Sequence, residues 1–354
     1  MHLSKWIKDG NGMMEGVDLS ALERWMDGQG VGTGPIADAR LLSGGTQNIL
    51  MRFRRGDAAC VLRRPPPVPR PNSNDTMRRE ARVLAALDGT AVPHPRLMAA
   101  CPEEDVLGVA FYLMEPVEGF NPTQGLPALH ASDAAARHRI GLSMVEAIAA
   151  LGALDYRAVG LDGFGKPDNY LERQVGRWKA QLASYADFAE WPGPDAIPGV
   201  DRVADWLDAH RPADFRPGII HGDFHLGNVM VRPDSGDLAA VVDWELSTIG
   251  DPLLDLGWLL ATWPEGDTPR ATDVAITPWE GFATPDELVA HYAAVSGRDL
   301  AALDWYVVLA CYKLGIILEG THARAAAGKA PKETGDRLHA HTLDLFDRAL
   351  RRIS

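Results

Sequence analysis

The chain has 354 residues, a formal net charge of −13, 46% hydrophobic residues and 23% charged residues. That length accommodates a two-lobed enzyme or two domains, and the ordinary globular composition excludes a mainly disordered or fibrous chain. The acidic balance argues against nonspecific nucleic-acid binding or binding to an anionic membrane, both of which require clustered Lys and Arg.

In chain order, Leu19, Leu22, Trp25 and Met26 recur at helical spacing after Asp18, and "GQGVGTGP" stops that helix. Its glycines lack the G-x-G-x-x-G spacing and read as a C-cap and loop. Strand-like runs at 36–42, 48–53 and 58–62 predict an antiparallel meander. Between the first two lies "SGGTQN", Ser43 to Asn48, where paired glycines let backbone amides approach an anion closely. The Pro-rich "RRPPPVPRP" is neither helix nor inner strand. "NDTMRREARVLAAL" then predicts a helix with Met77, Val83, Leu84 and Leu87 on one stripe. Two more strands near 96–100 and 109–114 complete an N-terminal lobe, 1–115, and "EPVEGFNP" reads as its exit linker.

The rest, 116–354, is mostly helical by periodicity, with "GIIHGDF" and "AAVVDWE" as short strands flanking a turn. The longest apolar run, Trp305 to Leu318, is too short to span a bilayer and carries Lys313, so a buried helix is expected. Cys60, Cys101 and Cys311 lie far apart without C-x-x-C spacing, which argues against a disulfide framework or a zinc knuckle. With no apolar leader at the start of the chain, a reducing cytoplasm is the expected compartment.

The chemistry concentrates in "HGDFHLGN", His221 to Asn228, bordered by "GII" and "VMV". Three readings compete. Alternation along an extended strand would present His221, Asp223 and His225 to a metal, but the next histidine, His291, falls in a distant predicted helix. A plain polar turn suits the histidines alone, yet leaves carboxylates in apolar surroundings without partners. Phosphoryl transfer accounts for the whole group. Asp223 and Asn228 stand at the D-x-x-x-x-N spacing, and Asp243, at the end of "AAVVD", supplies a second hard oxygen ligand.

With "SGGTQN", "VLRR", "REARVL", "YLMEPVEG", "HGDFHLGN", "VVDWE" and "GDPLLDLG" in this order, the sequence resembles the aminoglycoside phosphotransferase and choline kinase family. Its loop "VLRRPPP" is closest to the branch also found fused to acyl-CoA dehydrogenases. The resemblance implies an α+β, two-lobed protein-kinase-like fold, with a small antiparallel-sheet N-lobe and a mostly helical C-lobe. It implies Asp223 as catalytic base or orienter, His225 near the transferring phosphate, and Asn228 and Asp243 as magnesium ligands. Asp255 would brace the catalytic loop through its backbone. Ser43, Gly44, Gly45, Thr46, Arg63, Glu80, Glu115 and Val117 would bind the nucleotide, ATP or GTP. Asp251 with Pro252 reads more simply, as a helix cap.

Two departures from the kinase pattern carry information. The chain has no lysine between Lys8 and Lys166, so Arg63 stands where kinases place the phosphate-gripping Lys, with Glu80 as its expected ionic partner. Only seven residues separate Asp243 from Asp251, which leaves no room for a peptide-docking platform. A small-molecule hydroxyl acceptor is therefore expected, with no nucleic acid or membrane partner. The alternative is a catalytically idle module that binds nucleotide or a partner.

Overall fold

Local capping signals decide where the first helix sits. Asp18 accepts the Ala21 N–H at 2.9 Å and Gly30 closes the other end in the left-handed region, at φ 67°, which bounds α1 at Leu19–Gln29. The structure is a computed structural model, and it describes residues 13–14, 16–42, 48–264 and 276–354. The chain divides into two compact units. One comprises Met1–Glu118, Val159–Leu161 and Val242–Glu245; the other comprises Gly119–Ala158, Asp162–Val241 and Leu246–Ser354.

The first unit is built on five antiparallel strands: β1 (Ile36–Leu41), β2 (Ile49–Arg55), β3 (Ala58–Arg64), β4 (Leu97–Cys101) and β5 (Phe111–Met114). Their order is β1-β2-β3-β5-β4. Gly56, at φ 56°, makes the tight β2–β3 turn, which pairs Arg55 with Ala58 and sets the register as far as Ile49 with Arg64. One face of the sheet presents Met51, Phe53, Cys60, Leu62, Phe111 and Leu113 to Leu22 and Met26 of α1. Helix α2 (Ser73–Leu87) buries the expected Met77, Val83, Leu84 and Leu87, and also Glu80. Arg63 on β3 stands opposite Tyr112 on β5, which sends both side chains to one face.

The second unit is helical: α3 (Ala134–Ala153), α4 (Glu172–Ala183), α5 (Val200–Ala209), α6 (Leu253–Thr262), α7 (Pro285–Ser296), α8 (Leu303–Ala326) and α9 (Lys332–Arg352), with shorter turns between. Here the strand reading needs correction. Instead of flanking a turn as partners, "GII" and "AAVV" belong to separate ribbons. Strand β6 (Gly218–Ile220) pairs with β9 (Thr248–Gly250), and β7 (Val229–Val231) pairs with β8 (Leu238–Val241). Strands this short carry little periodicity of their own. The turn at 232–237 selects the β7–β8 hairpin instead, and the polar loop 221–228 is released between the ribbons.

Helix α8 forms the spine of this unit. At its crossing with α6, a Cβ added to Gly257 would stand 2.7 Å from the Tyr306 backbone carbonyl, so only glycine permits this approach. Among the described residues, no helix is long and apolar enough to cross a membrane. Replacing Gly257 with Ala should push these two helices apart and cost about 1–3 kcal/mol, measurable by chemical denaturation.

Candidate functional site

The loop after β6 is held by a buried carboxylate. Asp255, on the first turn of α6 and only 2% exposed, accepts the His221 N–H at 2.6 Å on Oδ2 and the Gly222 N–H at 2.8 Å on Oδ1. Burial pushes the Asp255 carboxyl up, against His221 and the two amides that favour its charge. Gly222 turns at φ 86°, with Leu246 O only 2.5 Å from where a Cβ would sit. Its carbonyl accepts from Lys313 Nζ at 3.2 Å. Gly222 is thus gripped at its amide by Asp255 and at its carbonyl by Lys313, one on each side of its Cα.

The residues after Gly222 continue the same network. Asn228 Nδ2 donates to Asp223 O at 2.9 Å and to Asp223 Oδ2 at 3.1 Å, while its amide oxygen accepts no hydrogen bond among the described residues. His225 Nδ1 accepts the Gly227 N–H at 3.0 Å, which leaves Nε2 as the ring's donor, 3.5 Å from Asp223 Oδ1. His221 is fully buried, and its Nδ1 accepts the Asp223 N–H at 3.3 Å, so it packs beneath the loop. Burial opposes ionisation of Asp223, but the His225 hydrogen bond and the charges of His225, His221 and Lys313 overrule it and hold the carboxyl at about 2. Such a carboxylate stays ionised and is a weak base, suited to orienting a hydroxyl.

In the other unit, Arg63 joins two acids. Its Nε lies 2.8 Å from Glu80 Oε2, and its Nη2 donates to Glu80 Oε1 at 3.1 Å and to Asp243 Oδ1 at 2.7 Å. Tyr112 donates its hydroxyl to Glu80 Oε2 at 2.6 Å. Burial works against the Arg63 charge, but Glu80 and Asp243 secure it. Glu80 is 1% exposed, so it is no solvated helix-face residue. Asp243 holds φ 67°, a region that Asp tolerates better than bulkier residues. Carboxylate oxygens of Glu80, Asp243 and Glu245 all lie within 4.8 Å of one another, a set of hard donors suited to a divalent cation.

The expected site residues therefore fall into two groups: Asp223, His225 and Asn228 in one unit, and Arg63, Glu80 and Asp243 in the other. Ser43, Gly44, Gly45 and Thr46 lie outside the described residues. Past β5, the Glu115 N–H donates to Arg96 O at 2.9 Å and its carboxylate pairs with Arg96. The Glu115 carbonyl and the Val117 N–H have no backbone partner among the described residues. Asp251 differs slightly from expectation. Helix α6 starts at Leu253, so Pro252 takes the cap position and Asp251 accepts the Leu253 N–H at 3.0 Å from one residue further out.

Sequence reasoning passed over two residues. Asn121, in the exit linker, donates Nδ2 to Gly227 O at 2.6 Å and Val229 O at 3.3 Å, which ties the linker to the loop. Lys313 drew notice only as a charge inside an apolar helix. That isolation was the available signal, because a buried ammonium requires a partner. Here it lies 4.2 Å from the centre of the Trp258 ring and 5.8 Å from that of Trp178. Burial pushes its pKa down to about 8, with Asp223 and Asp255 pulling back.

Comparison with known proteins gives a consistent picture. The phosphotransferase enzyme family profile matches residues 38–306. Acyl-CoA dehydrogenase family member 10 of Mus musculus is 30% identical over 327 residues, 90% of this chain and 29% of that protein. Family member 11 of Rattus norvegicus is 32% identical over 298 residues, 82% of this chain and 37% of that protein. The chain thus spans well under half the length of either relative. Among solved structures, a candidate aminoglycoside phosphotransferase of Ralstonia eutropha superposes with a TM-score of 0.77 at 30% identity, covering 95% of this chain and 99% of that one. Choline kinase of Cryptosporidium parvum gives a TM-score of 0.60 at 10% identity, covering 89% and 88%, a likeness of fold alone. The fold is kinase-like and α+β.

The Lys313 environment sets a pH dependence. A lysine with a folded value near 8, below the ordinary 10.5, carries its full stability penalty below pH 8. That penalty fades between the two values, as the folded protein sheds a proton the unfolded chain keeps. Between pH 8 and 10.5, wild type should therefore gain about 3 kcal/mol relative to Lys313→Met. Parallel urea titrations across that window give the difference, and a flat difference contradicts the burial of the ammonium.

Proposed function

We propose that this chain, which belongs to the phosphotransferase enzyme family, transfers the γ-phosphate of ATP or GTP to a hydroxyl group of a small molecule with the help of Mg2+. The observation that carries this reading is the Asp223 carboxylate, ionised, bonded by Asn228 and presented on a loop whose Gly222 is gripped at both its amide and its carbonyl. Phosphoryl transfer asks a protein mainly for positioning and charge stabilisation, and a loop held in this way supplies positioning.

In this reading Asp223 orients the acceptor hydroxyl, and the His225 Nε2–H faces the negative charge that develops during transfer. Asn228 offers its amide oxygen and Asp243 its carboxylate to magnesium, which when bound neutralises phosphate charge. Arg63 leaves Asp243 to grip nucleotide phosphates while keeping Glu80, and the guanidinium fork allows both contacts. The Glu115 carbonyl and Val117 N–H read the base, while Ser43, Gly44, Gly45 and Thr46, expected at the phosphates, lie outside the described residues.

For the acceptor, Lys313 is a cation whose charge acts on Asp223. It suits a neutral or anionic acceptor better than a polycation. A hydroxyacyl thioester or its acid fits this pattern, and the curated relatives are named as acyl-CoA dehydrogenase family members. The rival reading, an idle nucleotide-binding module, rests on Arg63 being engaged by Asp243.

One assay separates the two. Wild type should show Mg2+-dependent thermal stabilisation by ATP or GTP that Asp243→Asn abolishes, and turnover with a hydroxyacyl acceptor that falls on the order of 10²–10⁴-fold in Asp223→Ala. Nucleotide binding without turnover across hydroxyacyl, sugar, amino alcohol and aminoglycoside acceptors would leave the idle module standing.

A further inference from the structure

Further along α8 than Lys313, two helices bring nitrogen and oxygen donors to one spot. Glu319 and His322, three residues apart, share a face of α8, and His339 meets them from α9. The approach is close because of Gly335: a Cβ there would stand 2.4 Å from the Ala325 Cβ and 3.5 Å from the His322 Cα. Glu319 is fully buried. Its Oε1 accepts from Trp191 Nε1 at 2.8 Å, and its Oε2 lies 2.7 Å from His339 Nδ1. The two imidazoles stack with ring centres 4.3 Å apart. One donor atom from each of Glu319, His322 and His339 lies within 4.8 Å of the other two.

Protein partners alone leave this arrangement incomplete. His322 Nδ1 is buried and has no hydrogen-bond partner among the described residues, a costly state for a ring nitrogen. Protonating both stacked rings to balance Glu319 would set two cations face to face. A single dication resolves both problems, because it takes lone pairs from two neutral imidazoles and from the carboxylate. Trp191 already fixes the outer carboxylate oxygen, the kind of supporting hydrogen bond that orients a metal ligand. Asp336, one turn before His339, adds a nearby negative charge.

We propose that Glu319, His322 and His339 form a transition-metal site of the Zn2+ class that clips α8 to α9. A donor set of two imidazoles and one carboxylate suits zinc or cobalt and is poorly matched to Mg2+, which prefers oxygens. The donors close from within 4.8 Å to about 3.3 Å apart around a tetrahedral ion, and three protein ligands leave one position open. Both histidines are only partly buried, so an ion has a path from solvent. The site shares no residue with the Asp223 loop and is independent of the phosphotransferase reading.

The test uses the intact, untagged protein, stripped with chelator and titrated with Co2+ in excess Mg2+. One equivalent should bind, with the visible absorption of a four- or five-coordinate N/O site, and Zn2+ should displace it and raise the melting temperature. His322→Ala removes a ring whose buried Nδ1 has no hydrogen-bond partner among the described residues, so the metal-free variant should lose only the stacking on His339 and still fold. It should nevertheless lose the cobalt band, with affinity weakened at least about tenfold. Glu319→Gln should behave likewise. The proposal fails if wild type shows no stoichiometric cobalt band, or if the band survives in the His322→Ala, His339→Ala double variant, which would assign binding to other histidines.

Discussion

The loop from His221 to Asn228 depends on one buried carboxylate. Asp255 spends both oxygens on consecutive backbone amides, those of His221 and Gly222. Burying a carboxylate at 2% exposure is costly, and the loop's backbone supplies the compensation. The dependence is mutual. Without Asp255 the two amides have no partner, and without the Gly222 conformation the amides do not converge. Lys313 closes the arrangement from the carbonyl side, so Gly222, just before Asp223, is held on both sides of its Cα. An orienting carboxylate needs that rigidity, because a small displacement of a reacting group erodes the rate steeply.

The same economy of charge governs Arg63. A lysine in its place would offer a point charge to one acid at a time, whereas the guanidinium spans Glu80 and Asp243 together. The exchange of lysine for arginine therefore changes more than phosphate geometry, because Arg63 already occupies Asp243 Oδ1, an oxygen that the proposed metal would need.

Much of this was legible in the chain itself. The five-strand sheet and α2 followed from alternation, turn glycines and a helical stripe. The Asp223, Asn228 and Asp243 spacing stood out because polar residues interrupted apolar surroundings. What stayed hidden depended on tertiary placement. The three-residue ribbons carry too little pattern to name their partners, and a strand between them, Val229–Val231, does not show in the sequence as one. Asn121 looked like an ordinary loop residue, since its role exists only once the linker folds back on Gly227. The Glu319, His322 and His339 cluster joins two helices, and nothing in either helix alone points to the other.

Lys313 shows how far a lone signal carries. A charge inside an apolar helical run announces that it must be answered, but the sequence does not say by what. Here the answer is a backbone carbonyl and an indole face, with no carboxylate in direct contact among the described residues. Because no acid neutralises it directly, its charge remains available to the electrostatics around Asp223, where it helps keep that carboxylate ionised. The cost of burying the ammonium is thus coupled to the state of the residue that would orient the acceptor. A helix otherwise devoted to packing thereby takes part in the chemistry of the loop.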